Sequence, residues 1–228
     1  MSKTFKTGDD RVSDYEDDFK DVAALVAGES RWRQYIGKNI EVANGSIKTH
    51  IFKIVSSSEF EKLGQDSEAA GITYKQSGTI TLVEYFGVNS RAAFLVAALH
   101  EFVHLVSHPA KQGVSQSSAK GFLGEGLHEG LVQVVTEDIL AAQKIAPSKH
   151  KEYEARSAIV RKLLDTTDIK PFGNALFQGQ IADLRFLHDM YTIRGFQNIQ
   201  KFATLNDAKS ATALIDRPVQ AYGERKVK

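Results

Sequence analysis

The chain of 228 residues is long enough for one large domain or two small lobes, and its 42% hydrophobic content supports a buried core. Its 29 basic and 28 acidic residues leave a net charge of +1, which signals neither nucleic-acid nor anionic-membrane binding, and no apolar run reaches the length of a membrane span. There is no cysteine, so disulfides are excluded and any metal must be held by nitrogen and oxygen ligands.

Residues 1–18 are polar and acid-rich (Asp9, Asp10, Asp14, Glu16, Asp17, Asp18) and are expected to form a loose tail. The first ten residues have no apolar stretch of the kind a Sec signal peptide carries. A cytoplasmic protein, or one exported by a signal-independent route, is therefore expected. Phe19 to Tyr35 reads as a helix that buries Val22, Leu25, Val26 and Trp32. Asn39 to Val42 and Ile47 to Val55 read as strands, with Asn44-Gly45 as a hairpin signal between them. Ser56-Ser-Ser-Glu-Phe60 has the form of a capping box and predicts a short helix ending near Gly64.

Ile72 to Lys75 and Thr79 to Phe86 form a second predicted strand pair, turning at Gln76-Ser-Gly78. Thr79 to Phe86 is rich in β-branched and aromatic residues. It is expected to supply an edge strand at the rim of a cleft, where an extended peptide could pair with it. Asn89 or Ser90 caps a helix from about Arg91 to Ser107, which stops before Pro109. Ala110 to Gly126 reads as a loop. An apolar helix follows, from Leu127 or Glu129 to about Ile145. Helices are then predicted over 148–164, 175–192, 196–205 and 207–215, and a polar tail over 218–228.

The predicted helix at 91–107 carries His100-Glu101-x-x-His104. Residues four apart on a helix lie one above the other, so both imidazoles can address one ion. Glu101, beside His100, is angled to reach a water on that ion rather than the ion itself. This is the H-E-x-x-H zinc pattern, two ligands and one general base. Apolar residues from Phe94 to Val106 surround the trio, and a helix apolar all round is buried. Buried polar groups need partners, and one metal ion satisfies these three together.

A catalytic zinc needs a third protein ligand and an open position. The metzincin continuation is absent, because Ser107 and Ala110 stand where its Gly and last His would be. Glu129 is the best candidate, with 24 residues between it and His104 and at the start of an apolar helix whose face continues through Val132, Thr136 and Ile139. Glu125 lies in a Gly-flanked turn, and Glu137 two turns further on. His128 competes with Glu129, and His108 is one turn past His104.

H-E-x-x-H followed by a second helix with Glu129-Gly130-Leu131 resembles the gluzincin peptidases, the group of thermolysin and the M1-type aminopeptidases. The resemblance implies that Glu129 is the third zinc ligand. It also extends to Phe177 to Gly195, which is similar to the helix that follows in small gluzincin-like domains. It covers roughly Thr79 to Leu205. Gluzincins often add a Tyr or His that donates to the oxyanion; Phe177 cannot, which leaves Tyr153, His188 and Tyr191 as candidates beside His128 and His108.

The expected fold is therefore α+β and zincin-like, a single catalytic domain over 19–217. Its N-terminal lobe, about 19–109, would carry a small mixed sheet and the motif helix. Its C-terminal lobe, about 124–217, would be all helical, with the metal in the cleft. The expected activity is zinc-dependent hydrolysis of a peptide or protein substrate, with Glu101 as general base. The alternatives are an exported effector protease of the same chemistry and a non-catalytic peptide-binding module.

Overall fold

The computed structural model describes residues 21–36 (except 23, 27 and 29), 52–63, 71–74, 79–83, 91–107, 119–145 and 151–218. The expected tails, the Asn44-Gly45 hairpin, the turn at 76–78, the caps Asn89 and Ser90, and His108 lie outside these residues. The chain is α+β, mostly helical with one small mixed sheet. None of the helices in the described residues is long and apolar enough to cross a membrane. The chain forms two compact units, 1–106 with 136–148, and 107–135 with 149–228.

In the first unit the expected helix over 19–35 is broken. Residues 21–22 and 24–26 are helical, the Gly28 amide donates to the Ala24 and Leu25 carbonyls, and α1 is short, Arg33–Ile36. Val22, Leu25, Val26 and Trp32 are nonetheless buried, as expected. Strand β1 is Phe52–Val55 and is followed by α2, Ser57–Lys62. The capping box is present: Ser56 Oγ accepts from the Glu59 amide, and the Ser56 amide donates to Glu59 Oε2. Strands β2 (Gly71–Tyr74) and β3 (Thr79–Val83) pair antiparallel, Thr73 opposite Ile80, and β1 pairs parallel with β3, Phe52 opposite Ile80.

The order β1-β3-β2 corrects one expectation. Strand β3 is the central strand rather than an edge, hydrogen-bonded on both sides. Its buried Ile80, Thr81 and Leu82 are the composition of a strand covered on both faces. The motif helix α3, Arg91–Val106, packs on β2 and β3.

In the second unit, α4 (Ala119–Ala142, its last seven residues in the first unit) begins earlier than the sequence predicts. Residues 119–126, read as loop, are helical on both sides of a break at Gly124 (φ 74°, ψ 166°), a backbone region open only to glycine. The break frees carbonyls at the end of the first segment, and Gln200 Nε2 donates to the Phe122 oxygen at 2.6 Å. Phe122 also stacks on His188 and meets Phe196, which holds the segment in place.

Helices α5 (Lys151–Thr166), α6 (Ile169–Gln178), a 3-10 turn (Ile181–Leu184), α7 (Phe186–Thr204) and α8 (Ala208–Ile215) complete this unit. The single helix predicted over 175–192 is thus divided among the end of α6, the 3-10 turn and the start of α7. Asp168 caps the start of α6, and Gly179, in the left-handed region, ends it. Helix α7 breaks at Thr192 (φ 58°), whose Oγ1 accepts from the Gly195 amide and caps the second segment.

Candidate metal centre

The Ala- and Leu-rich stretch around the motif favours helix, and its apolar circumference drives it into the core. That burial carries the polar trio inward: His100 is only 5% exposed, while Glu101 and His104 are partly buried. One helical turn apart, the two imidazoles meet with Nε2 atoms 3.2 Å apart and ring centroids 4.9 Å apart. Either one Nε2 carries a proton and donates to the other, or both present lone pairs to a shared cation.

Ligand atoms of His100, His104 and Glu129 all lie within 4.8 Å of one another, and the group could hold a metal ion. Glu129 follows the Gly124 break and is partly buried. His128 beside it is buried, with Nδ1 3.5 Å from Glu129 Oε1. The packing that seats this part of α4 is tight. A Cβ at Gly126 would lie 2.5 Å from the Ala203 backbone carbon, and one at Gly130 would lie 2.6 Å from the Arg156 carbonyl oxygen.

No protein-family model, curated protein or solved structure matches this chain.

Of the competing ligands, Glu125 points outward, two-thirds exposed and paired with Lys120 at 3.1 Å. Glu137 is partly buried and does not join the three-residue group. The candidate oxyanion donors have distinct settings. Tyr191 is 4% exposed, its hydroxyl 3.4 Å from Thr166 Oγ1, and burial pushes that hydroxyl above its ordinary pKa. His188 is partly buried, stacked on Phe122 and edge-on to Phe196. Tyr153 is partly buried beneath the Arg156 guanidinium, 5.9 Å from the ring centre.

One contact at the site was not legible in the sequence. Thr73 Oγ1 donates to Glu101 Oε2 at 2.7 Å and reaches the Glu101 carbonyl oxygen at 2.8 Å. Thr73 precedes Glu101 by 28 residues and sits on another element, so no local pattern announces the pair.

Proposed function

We propose that the chain is a zinc-dependent metallopeptidase of the gluzincin type. The observation that carries this reading is the convergence of His100, His104 and Glu129 ligand atoms within 4.8 Å. Two imidazoles and one carboxylate are the three-ligand set of a catalytic zinc site. A tetrahedral ion holding two nitrogens at 2.0–2.1 Å separates them by about 3.3 Å. The 3.2 Å between the two Nε2 atoms fits that spacing.

Bound zinc would supply a water with a pKa of about 7 and a Lewis acid for the scissile carbonyl. Glu101, adjacent to the ligands in sequence and not one of them, is the general base. Its carboxylate takes a proton from the attacking water and delivers it to the leaving amine nitrogen, so the carboxylate is regenerated as the peptide C–N bond breaks. A purely structural site has no use for such a base. Of the strands in the three-stranded sheet, β2 rather than β3 is the one to pair with an extended substrate, because it has a single neighbour among the described residues and, of the two such strands, is the one that carries Thr73 against Glu101.

The test is zinc content and peptide-library cleavage on wild type and Glu101→Gln. Glutamine keeps the size of the side chain and cannot take up a proton at neutral pH. The variant is expected to keep its zinc and lose nearly all cleavage. Equal cleavage by both proteins would remove Glu101 from the chemistry. A fully zinc-loaded wild type that cleaves nothing would make the site a non-catalytic one.

A further inference from the structure

Glu101 is held from outside its own helix by two residues of β2. A hydroxyl has a single proton, so the two acceptors within reach of Thr73 Oγ1, the carboxylate at 2.7 Å and the Glu101 carbonyl at 2.8 Å, draw on the same donor. The ionised carboxylate is the stronger acceptor and takes most of it. Two residues earlier, on the same face of the strand, stands Gly71. A Cβ there would lie 2.8 Å from Glu101 Cγ and 2.7 Å from Leu82 Cδ2. Any side chain at position 71 would press on the stem of Glu101 and on the central strand together. Residue 71 therefore supplies space, and residue 73 supplies a hydrogen bond.

From this geometry we infer that Gly71 and Thr73 form a cradle that fixes the Glu101 side chain for proton transfer, which makes Thr73 a positioning residue. The role rests on Glu101 being the general base. A glutamate on a helix has three side-chain torsions to order, and a bond to one oxygen restricts them together. With Oε2 engaged by Thr73, Oε1 is the oxygen that exchanges the proton. A bond to the carbonyl alone would only tie β2 to α3; the contact to the carboxylate is what a positioning role requires.

Thr73→Val keeps the branched shape and removes the hydroxyl, and Thr73→Ser restores it. In the zinc-loaded full chain, Thr73→Val should lower kcat by about 10- to 100-fold, the scale of a misplacement of roughly 1 Å at a reacting group. KM and zinc content should stay within about threefold of wild type, since ground-state binding is not touched. Thr73→Ser should recover most of the lost kcat. A merely structural role would lower the melting temperature of Thr73→Val and leave kcat intact, and that pattern overturns the inference. Crystal structures of the metal-free proteins give a readout without turnover. Glu101 should hold one orientation in wild type and a shifted or multiple one in Thr73→Val. An unchanged Glu101 in the variant overturns the cradle even if the wild type cleaves nothing, which separates its failure from that of the peptidase reading. Should Thr73→Val not fold, Thr73→Ala, which adds no bulk, carries the same expectations.

Discussion

Gly130 approaches Arg156 so closely that a Cβ at position 130 would lie 2.6 Å from the Arg156 carbonyl oxygen and 2.8 Å from its carbonyl carbon. The glycine after Glu129 is therefore a packing requirement, which lets α4 seat on α5 next to the Glu129 carboxylate. Alanine in mid-helix normally gains about 1 kcal/mol over glycine. Here the obstacle is backbone, which no rotamer change relieves, and overpacking of about 1–3 kcal/mol outweighs the propensity gain. Gly130→Ala should melt below wild type and hold zinc more weakly. Gly195→Ala is the control, because a Cβ there meets only ordinary contacts, the nearest Thr192 Oγ1 at 3.4 Å. A Gly130→Ala protein that melts at or above wild type would refute the packing account.

The ligand set separates three glutamates on one helix. If the group holds zinc as proposed, Glu129→Ala should lose most of it on dialysis, because one of the three side chains able to hold the ion is gone. Glu125→Ala and Glu137→Ala should retain it, since Glu125 is exposed and paired with Lys120 and Glu137 is outside the group. His104→Ala should lose both zinc and thermal stability, as metal binding is coupled to folding. Elemental analysis of the four proteins decides the assignment, and zinc loss from Glu125→Ala would show that the register of α4 has been misassigned.

Features written within one turn of chain were legible in the sequence: the Ser56–Glu59 capping box, the i, i+4 histidines and the burial of α3. Features set by distant contacts were not. Residues 119–126 look like a loop because Gly124 and Gly126 weaken helix locally. Gln200, His188 and Phe196 then hold the segment from far along the chain. Strand order in a three-stranded sheet has no local signature either, so nothing in the apolar, β-branched Thr79–Val83 segment tells a central strand from an edge. Asp168 and Gly179 are residue types that cap helices and they bound α6, whereas one helix expected over 175–192 runs across Gly179.

Tyr191 gives a stability signature at high pH. Burial is the largest influence on its hydroxyl and raises the pKa above 10.0, against the opposing pull of the Thr166 hydrogen bond. The unfolded chain therefore ionises Tyr191 first. Its contribution is fully present below the unfolded value and is lost as pH rises through 10 towards the higher folded value. Tyr191→Phe removes the ionisable group, so the variant should lose less stability than wild type between neutral pH and pH values above 10. Denaturant midpoints at several pH values measure this difference, and the other tyrosines cancel in the comparison. Parallel profiles for the two proteins would mean that Tyr191 ionises alike in both states.

Asp138, near the end of α4, holds the N-terminal segment of its unit through three short contacts. Its Oδ2 accepts from Arg31 Nε at 2.7 Å and Trp32 Nε1 at 2.6 Å, and Arg31 Nη2 lies at 2.7 Å. The two donors differ in setting. The Arg31 side chain is 46% exposed, so its ion pair belongs to the class worth about 0–1 kcal/mol. Trp32 is fully buried, and an indole N–H left there without an acceptor costs about 1–3 kcal/mol. Stability should therefore fall in the order Arg31→Ala, Asp138→Asn, Asp138→Ala. Asparagine keeps a carbonyl oxygen for the indole and gives up the charge; alanine gives up both. Chemical denaturation of the three variants tests the order. If Arg31→Ala costs as much as Asp138→Ala, the charge pair and not the indole hydrogen bond anchors this segment.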